Sequence, residues 1–122
     1  MVRVTGRLRD AIIDCLSDRD CRRIMLSVLS KPKPTGAIER EVNLPQSTLY
    51  RKISELKESG LLMIERYEVR DDGRREAVYS CSFSEVRLRV EGEEIVIDVT
   101  ENEKGKERRW FDLFYQRNGD TQ

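Results

Sequence analysis

The tightest constraint on this chain is the block of residues 35–60, TGAIEREVNLPQSTLYRKISELKESG. It reads as a short helix, a tight turn at Asn43-Leu44-Pro45, and a longer helix that ends at a glycine. Proline removes an amide donor and disfavours helical geometry in its predecessor, so the second helix opens only after Pro45. Leu49, Ile53 and Leu56 then make one apolar stripe. Gly60 supplies the left-handed residue that commonly closes a helix. With that stripe turned inward, the polar residues between its members must face solvent or a partner.

The flanking sequence extends the pattern. Leu8, Ala11, Ile12, Cys15 and Leu16 repeat at i, i+3, i+4, i+7 and i+8, and Cys21, Ile24, Met25, Val28 and Leu29 do the same, so two further helices come first. Ser17, with Asp20 three residues on, is the expected N-cap of the second. Lys31-Pro32-Lys33-Pro34 stops it, and Thr35 is the expected N-cap of the third. Downstream, residues 61–70 and 75–83 read as strands around the turn Asp71-Asp72-Gly73. Val86, Leu88 and Val90, the turn Glu91-Gly92-Glu93, and Ile95, Ile97 and Val99 read as a second hairpin. Residues 104–117 read as a final helix with Trp110, Leu113, Phe114 and Arg117 along one side. The predicted order is α-α-α-α-β-β-β-β-α, an α+β chain.

Composition sets outer bounds. Apolar and charged residues each make up 38% of the 122 residues, enough for a modest core with a large charged surface. No apolar run approaches the ~20 residues that span a bilayer, and the N-terminus has no apolar signal-peptide centre, which predicts a cytoplasmic protein without membrane contact. Cys15, Cys21 and Cys81 form no CxxC pair, and histidine is absent. Three buried free thiols are expected, with no metal site and no cofactor. Nothing resembles a phosphate loop or a nucleophile with its base, so the chain is not read as an enzyme. Net charge is zero but unevenly spread. Residues 1–75 hold 16 Lys+Arg against 12 Asp+Glu, and residues 76–122 hold 7 against 11. Such a split would orient the molecule on a polyanion.

A helix turns about 100° per residue, so in the helix after Pro45 Ser47, Arg51, Ser54 and Glu58 point most directly outward, with Thr48 and Tyr50 at the flanks. Arg51 has the two-pronged geometry for guanine O6 and N7, and serine or threonine suits base edges or phosphate. The alternative is a solvated face on which Arg51 pairs with Glu55 at i+4. Arg70, Arg74 and Arg75 cluster at the first hairpin's turn, with Arg66 on the approach. A basic tip suits a phosphate backbone or a narrow minor groove, while Asp71 and Asp72 offer neighbouring counter-charges. Lys31 and Lys33 are either backbone contacts or solubilising linker residues.

Three blocks, DRDCRRIMLSVLS, IEREVNLPQSTLYRKISELKESGLL and RYEVRDDGRREAVYSCSF, resemble the winged helix-turn-helix transcription regulators of the ArsR-like kind common in archaea. The resemblance spans roughly residues 8–83. Asn43 stands where glycine is usual and tolerates the same left-handed backbone; Glu39 stands where a small residue is usual. The thiol pairs of metal-sensing relatives are missing, so metal sensing is not carried over.

The resemblance implies a winged helix-turn-helix domain over residues 1–83 and a dimerisation extension over 84–122. It also implies a homodimeric, sequence-specific regulator of transcription bound to double-stranded DNA. The expected DNA contacts are Thr35, Gln46, Ser47, Thr48, Tyr50, Arg51, Ser54, Arg70, Arg74 and Arg75. The expected dimer contacts are Leu8, Ile12, Trp110, Phe111 and Phe114, because four of the eight aromatics crowd residues 110–115 and need an apolar surface; docking of that last helix on its own domain is the plainer alternative. The competing expectation is the same fold used as a protein–protein module in a transcription or replication assembly. Operator, regulated genes and any small-molecule effector are not legible.

Overall fold

The structure is a computed structural model and describes residues 1–102. In chain order its elements are β1 (Val2–Val4), α1 (Gly6–Ser17), α2 (Arg19–Ser27), β2 (Lys33–Pro34), α3 (Thr35–Val42), α4 (Gln46–Glu58), β3 (Leu62–Val69), β4 (Arg75–Cys81), β5 (Phe83–Glu91) and β6 (Glu94–Glu101). The described residues form an α+β fold of four helices and two three-stranded antiparallel sheets, ordered β2-β4-β3 and β1-β6-β5. The four helices and two hairpins fall where the sequence places them. The final helix predicted for residues 104–117 lies outside the described residues.

Two strands were not expected. β1 holds three residues, too few for an alternation to register, and pairs antiparallel with β6. β2 lies within the proline-containing linker, where Lys33 pairs with Tyr79 and Pro34 with Val78. It is an edge strand, the one sheet position where a missing amide costs no ladder bond.

Both N-cap expectations need correction. Ser17 ends α1, its hydroxyl donating to the Asp14 carbonyl at 2.9 Å. Asp18 caps α2, accepting the amides of Asp20 and Cys21 at 2.9 and 3.0 Å. Helical geometry resumes at Arg19, so the cap falls one residue later, on a side chain equally suited to it. Thr35 is already inside α3 and makes no side-chain cap. The Gly36 amide donates instead to Glu76 Oε2 at 2.8 Å, so a carboxylate from β4 supplies the negative charge that a helix N-terminus favours.

Asn43 adopts the left-handed conformation (φ 54°, ψ 51°) that turns the chain from α3 into α4. Gly60, at φ 87°, closes α4: its amide donates to the Lys57 carbonyl at 3.1 Å, and the Leu61 amide to Leu56 at 2.9 Å. That pair of bonds is a Schellman cap, completed by the burial of Leu56 and Leu61. Ser82 then locks this corner. Its hydroxyl donates to the Gly60 carbonyl at 2.8 Å, its amide to Leu61 at 3.1 Å, and its carbonyl accepts from the Asn102 amide at 3.2 Å.

One apolar cluster runs through the fold, drawing Leu8 and Ile12 from α1, Ile24 from α2, Ile38 from α3, Leu49 and Ile53 from α4, and Phe83, Ile97 and Val99 from the second hairpin. Each such side chain contributes about 1.5–3 kcal/mol by leaving water. Residues on both sides of position 83 contribute to this cluster. Among the described residues no helix is long and apolar enough to cross a membrane.

Candidate nucleic-acid interface

Burial sorts the polar residues of α4 as helical geometry demands. Leu49, Ile53 and Leu56 face the core, Gln46, Ser47, Tyr50, Arg51 and Ser54 are exposed, and Thr48 is half-buried. Lys52 holds the helix against its neighbour, with Nζ 2.9 Å from Asp18 Oδ2. The outward face of α4 is therefore fixed by both the apolar stripe and an ion pair.

The β3–β4 hairpin stands beside that face. Its loop is built by two bonds, Gly73 N–H to the Arg70 carbonyl at 2.9 Å and Arg70 N–H to Arg74 at 2.7 Å, with Gly73 left-handed at φ 85°. This is the three-residue loop in which a glycine must follow the turn. Asp72 steadies it by accepting the Arg74 amide at 3.0 Å. The same carboxylate lies 3.8 Å from the Arg70 guanidinium and 3.9 Å from that of Arg74. Arg75 stacks over the Tyr67 ring at 4.5 Å, and Arg66 is taken up by Glu65 and Glu68. The tip arginines are exposed but bracketed by acids.

A groove of about 390 Å³ separates α4 from the hairpin. Thr35, Tyr50, Ser54, Arg70 and Arg75 line it, so five of the ten expected contacts converge there. Gln46, Ser47, Thr48, Arg51 and Arg74 do not line it. Arg51 Nη1 lies 3.3 Å from Glu55 Oε2, the i+4 pairing weighed from the sequence, and Gln46 donates to the Tyr50 hydroxyl at 3.3 Å. Lys33 is bound to the Glu41 carboxylate.

Lys57, Glu76 and Tyr79 join the groove without having been expected. Lys57 was findable, since it continues the Tyr50–Ser54 line at helical spacing. Glu76 and Tyr79 arrive through strand pairing, which leaves no local sequence signal. Burial pushes the Tyr79 phenol above its usual value, with Tyr67 and Tyr50 adding to the effect. The other side of the loop is acidic: Glu68, Asp71, Asp72 and Glu76 line a second depression with Arg70, and Glu68 pairs directly across from Glu76.

The dimer expectations divide. Leu8 and Ile12 are 0% and 1% exposed within their own chain, so neither can form a partner surface. Their helix turns Leu8, Ile12 and Cys15 into the core, with Ala11 and Leu16 partly buried against it. Trp110, Phe111 and Phe114 lie outside the described residues. All three thiols are buried. Comparison with known protein families and with curated protein sequences gives no significant match.

Proposed function

We propose that this chain is a sequence-specific, DNA-binding regulator of transcription, a winged helix-turn-helix protein of the ArsR-like archaeal type acting as a homodimer. α4 enters the major groove by its N-terminal half, and the β3–β4 hairpin, as the wing, lies on the backbone or in the adjacent minor groove. One observation carries this reading: the outward line of α4 (Tyr50, Ser54, Lys57) and the hairpin arginines Arg70 and Arg75 face a common groove. Tyr50, Arg51 and Ser54 then address base edges or phosphate, and Arg70, Arg74 and Arg75 the backbone. In a dimer, two such helices would meet half-sites about 34–36 Å apart.

The acids beside each cation favour a second reading, a protein–protein module of the same shape. Asp72 sits between Arg70 and Arg74, and Glu55 holds Arg51. Binding to genomic fragments across a salt series separates the two. DNA recognition predicts affinity that falls with salt, loss of sequence preference in Arg51→Ala, and uniformly weaker binding with a shallower salt slope in Arg74→Ala/Arg75→Ala. Absence of binding to any fragment at low salt sinks the proposal.

A further inference from the structure

The β1-β6-β5 sheet has two chemically opposite faces. Residues paired directly across antiparallel strands share a face. On one face Arg3, Asp98 and Arg87 stand in register, and Arg89 reaches Asp98 and Glu91 at 2.7 Å each. On the other, Val2, Val99 and Val86 form a row, Val4, Ile97 and Leu88 a second, and Ile95 with Val90 a third. These rows run from buried to bare. Val4, Ile97 and Val99 belong to the core, whereas Leu88 is 48% exposed, Ile95 41% and Val90 69%. The turn end of this face is thus a continuous apolar strip open to water.

The chain itself supplies an occupant. It leaves β6 pinned at Asn102, whose amide donates to the Ser82 carbonyl at 3.2 Å and whose side chain donates to the Cys81 carbonyl. Residues 103–122 follow, with Trp110, Phe111, Leu113, Phe114 and Tyr115 concentrated in their middle. The eight Cα–Cα steps from Asn102 to Trp110 can span about 26 Å, and the strip lies only about 20 Å back along β6. Size also favours the tethered segment over a second copy. Three or four side chains fall far short of the ~800 Å² per partner that a standard interface buries. A segment on a short tether meets the same strip at a local concentration on the order of millimolar.

We infer that residues 110–115 dock in cis on the strip formed by Leu88, Val90 and Ile95 and close the open face of the sheet. In the helix expected from the sequence for residues 104–117, the spacing groups Trp110, Leu113 and Phe114 on one side. The inference stands apart from the DNA reading, since none of the three strip residues belongs to α4 or to the β3–β4 hairpin.

Trp110 is the single tryptophan and reports the docking directly. In the full chain its emission should be blue-shifted, poorly quenched by acrylamide, and constant through a wide dilution series. Val90→Lys and Ile95→Lys should shift it to the red and raise quenching several-fold, with Val90→Ala moving it the same way by less. Val69→Lys, on the other hairpin, should leave it unchanged. Water-like emission in the unmodified chain, or emission indifferent to all three strip variants, overturns the inference. Protection that disappears on dilution also overturns it, because the cover is then a second copy.

Discussion

Asp18 and Lys52 join two helices through one carboxylate. Oδ2 of Asp18 meets Lys52 Nζ at 2.9 Å, while Oδ1 accepts the Asp20 and Cys21 amides at the start of α2. The helix proposed to read DNA is thereby tied to a cap rather than to a free surface acid. Its rotation about its own axis is set from two sides, by the core stripe and by this pair.

The pair makes stability pH-dependent in a defined direction. The Lys52 hydrogen bond, and then the Cys21 amide, hold the Asp18 carboxyl below its usual 3.8. A depressed folded value means the contribution is complete above the unfolded pKa, near pH 4, and is lost as pH falls through the folded one. Asp18→Ala should cost about 1 kcal/mol from the cap alone. Asp18→Asn, which still caps, should remove the ion pair's share of the acid loss. Urea midpoints measured from pH 2 to 7 decide it: an acid limb identical in all three proteins contradicts the assignment.

Glu76 works against its surroundings as well as for them. It caps α3 at Gly36, yet it places a carboxylate in the groove and opposite Glu68. Glu76→Ala should lower stability by about 1 kcal/mol, the size of a lost helix cap. Glu76→Gln keeps an acceptor and removes the charge, so DNA affinity should rise threefold to fivefold, from about 0.7–1 kcal/mol of relieved repulsion near the surface. Urea titration and fluorescence anisotropy measure the two effects; weaker DNA binding by Glu76→Gln would place the phosphates elsewhere.

Glu55 should behave as a restraint on Arg51. The exposed pair is worth only about 0.3–0.5 kcal/mol to the fold, so Glu55→Gln should hardly change the urea midpoint. It should strengthen DNA binding by freeing the guanidinium and removing a charge that phosphate would meet. Arg51→Lys, without a planar fork, should lose discrimination at one base position while keeping affinity for non-specific DNA. Competition against single-base operator variants provides the measurement.

The thiols should report unfolding and nothing else. Burial pushes Cys15 up to about 12, with Cys21 and Cys81 adding to it, and pushes Cys81 up to about 11; Cys21 is also raised by burial. Burial therefore holds all three in the thiol form more strongly than in a free cysteine, and the thiolate is the reactive form. Labelling by an aromatic disulfide should therefore wait for opening of the core and track the urea curve. Rapid stoichiometric labelling of any of the three in buffer would contradict their placement.

Much of the frame was readable because single residues carried it. Asn43 was expected at a left-handed position and adopts φ 54°, and Gly60 was expected to end α4 and does so. The stripes of α1 and α4 named their buried faces. What escaped is non-local. The Gly36 cap comes from Glu76, forty positions away, and β1 is three residues whose only sign is a partner on β6. The groove itself was half legible: periodicity exposes Tyr50 and Ser54, but only strand register brings Glu76 and Tyr79 across from them. Leu8 and Ile12 were misplaced for a related reason, since an apolar stripe does not say whether its partner is its own chain or another.

Val2 pairs with Val99, and so the first strand cannot take its place until the last one has formed. Closing a loop that spans almost the whole described chain carries its entropic cost before the pairing returns any stability, and such long-range pairings slow folding. The helices, 8 to 13 residues long, are too short to persist alone and are held by the core they share with β5 and β6. The β1-β6-β5 sheet therefore acts as the closing clasp of the folding reaction. Because Val99 belongs to the same core as the helices, truncating it should lower the urea midpoint of the whole described fold and not of this sheet alone.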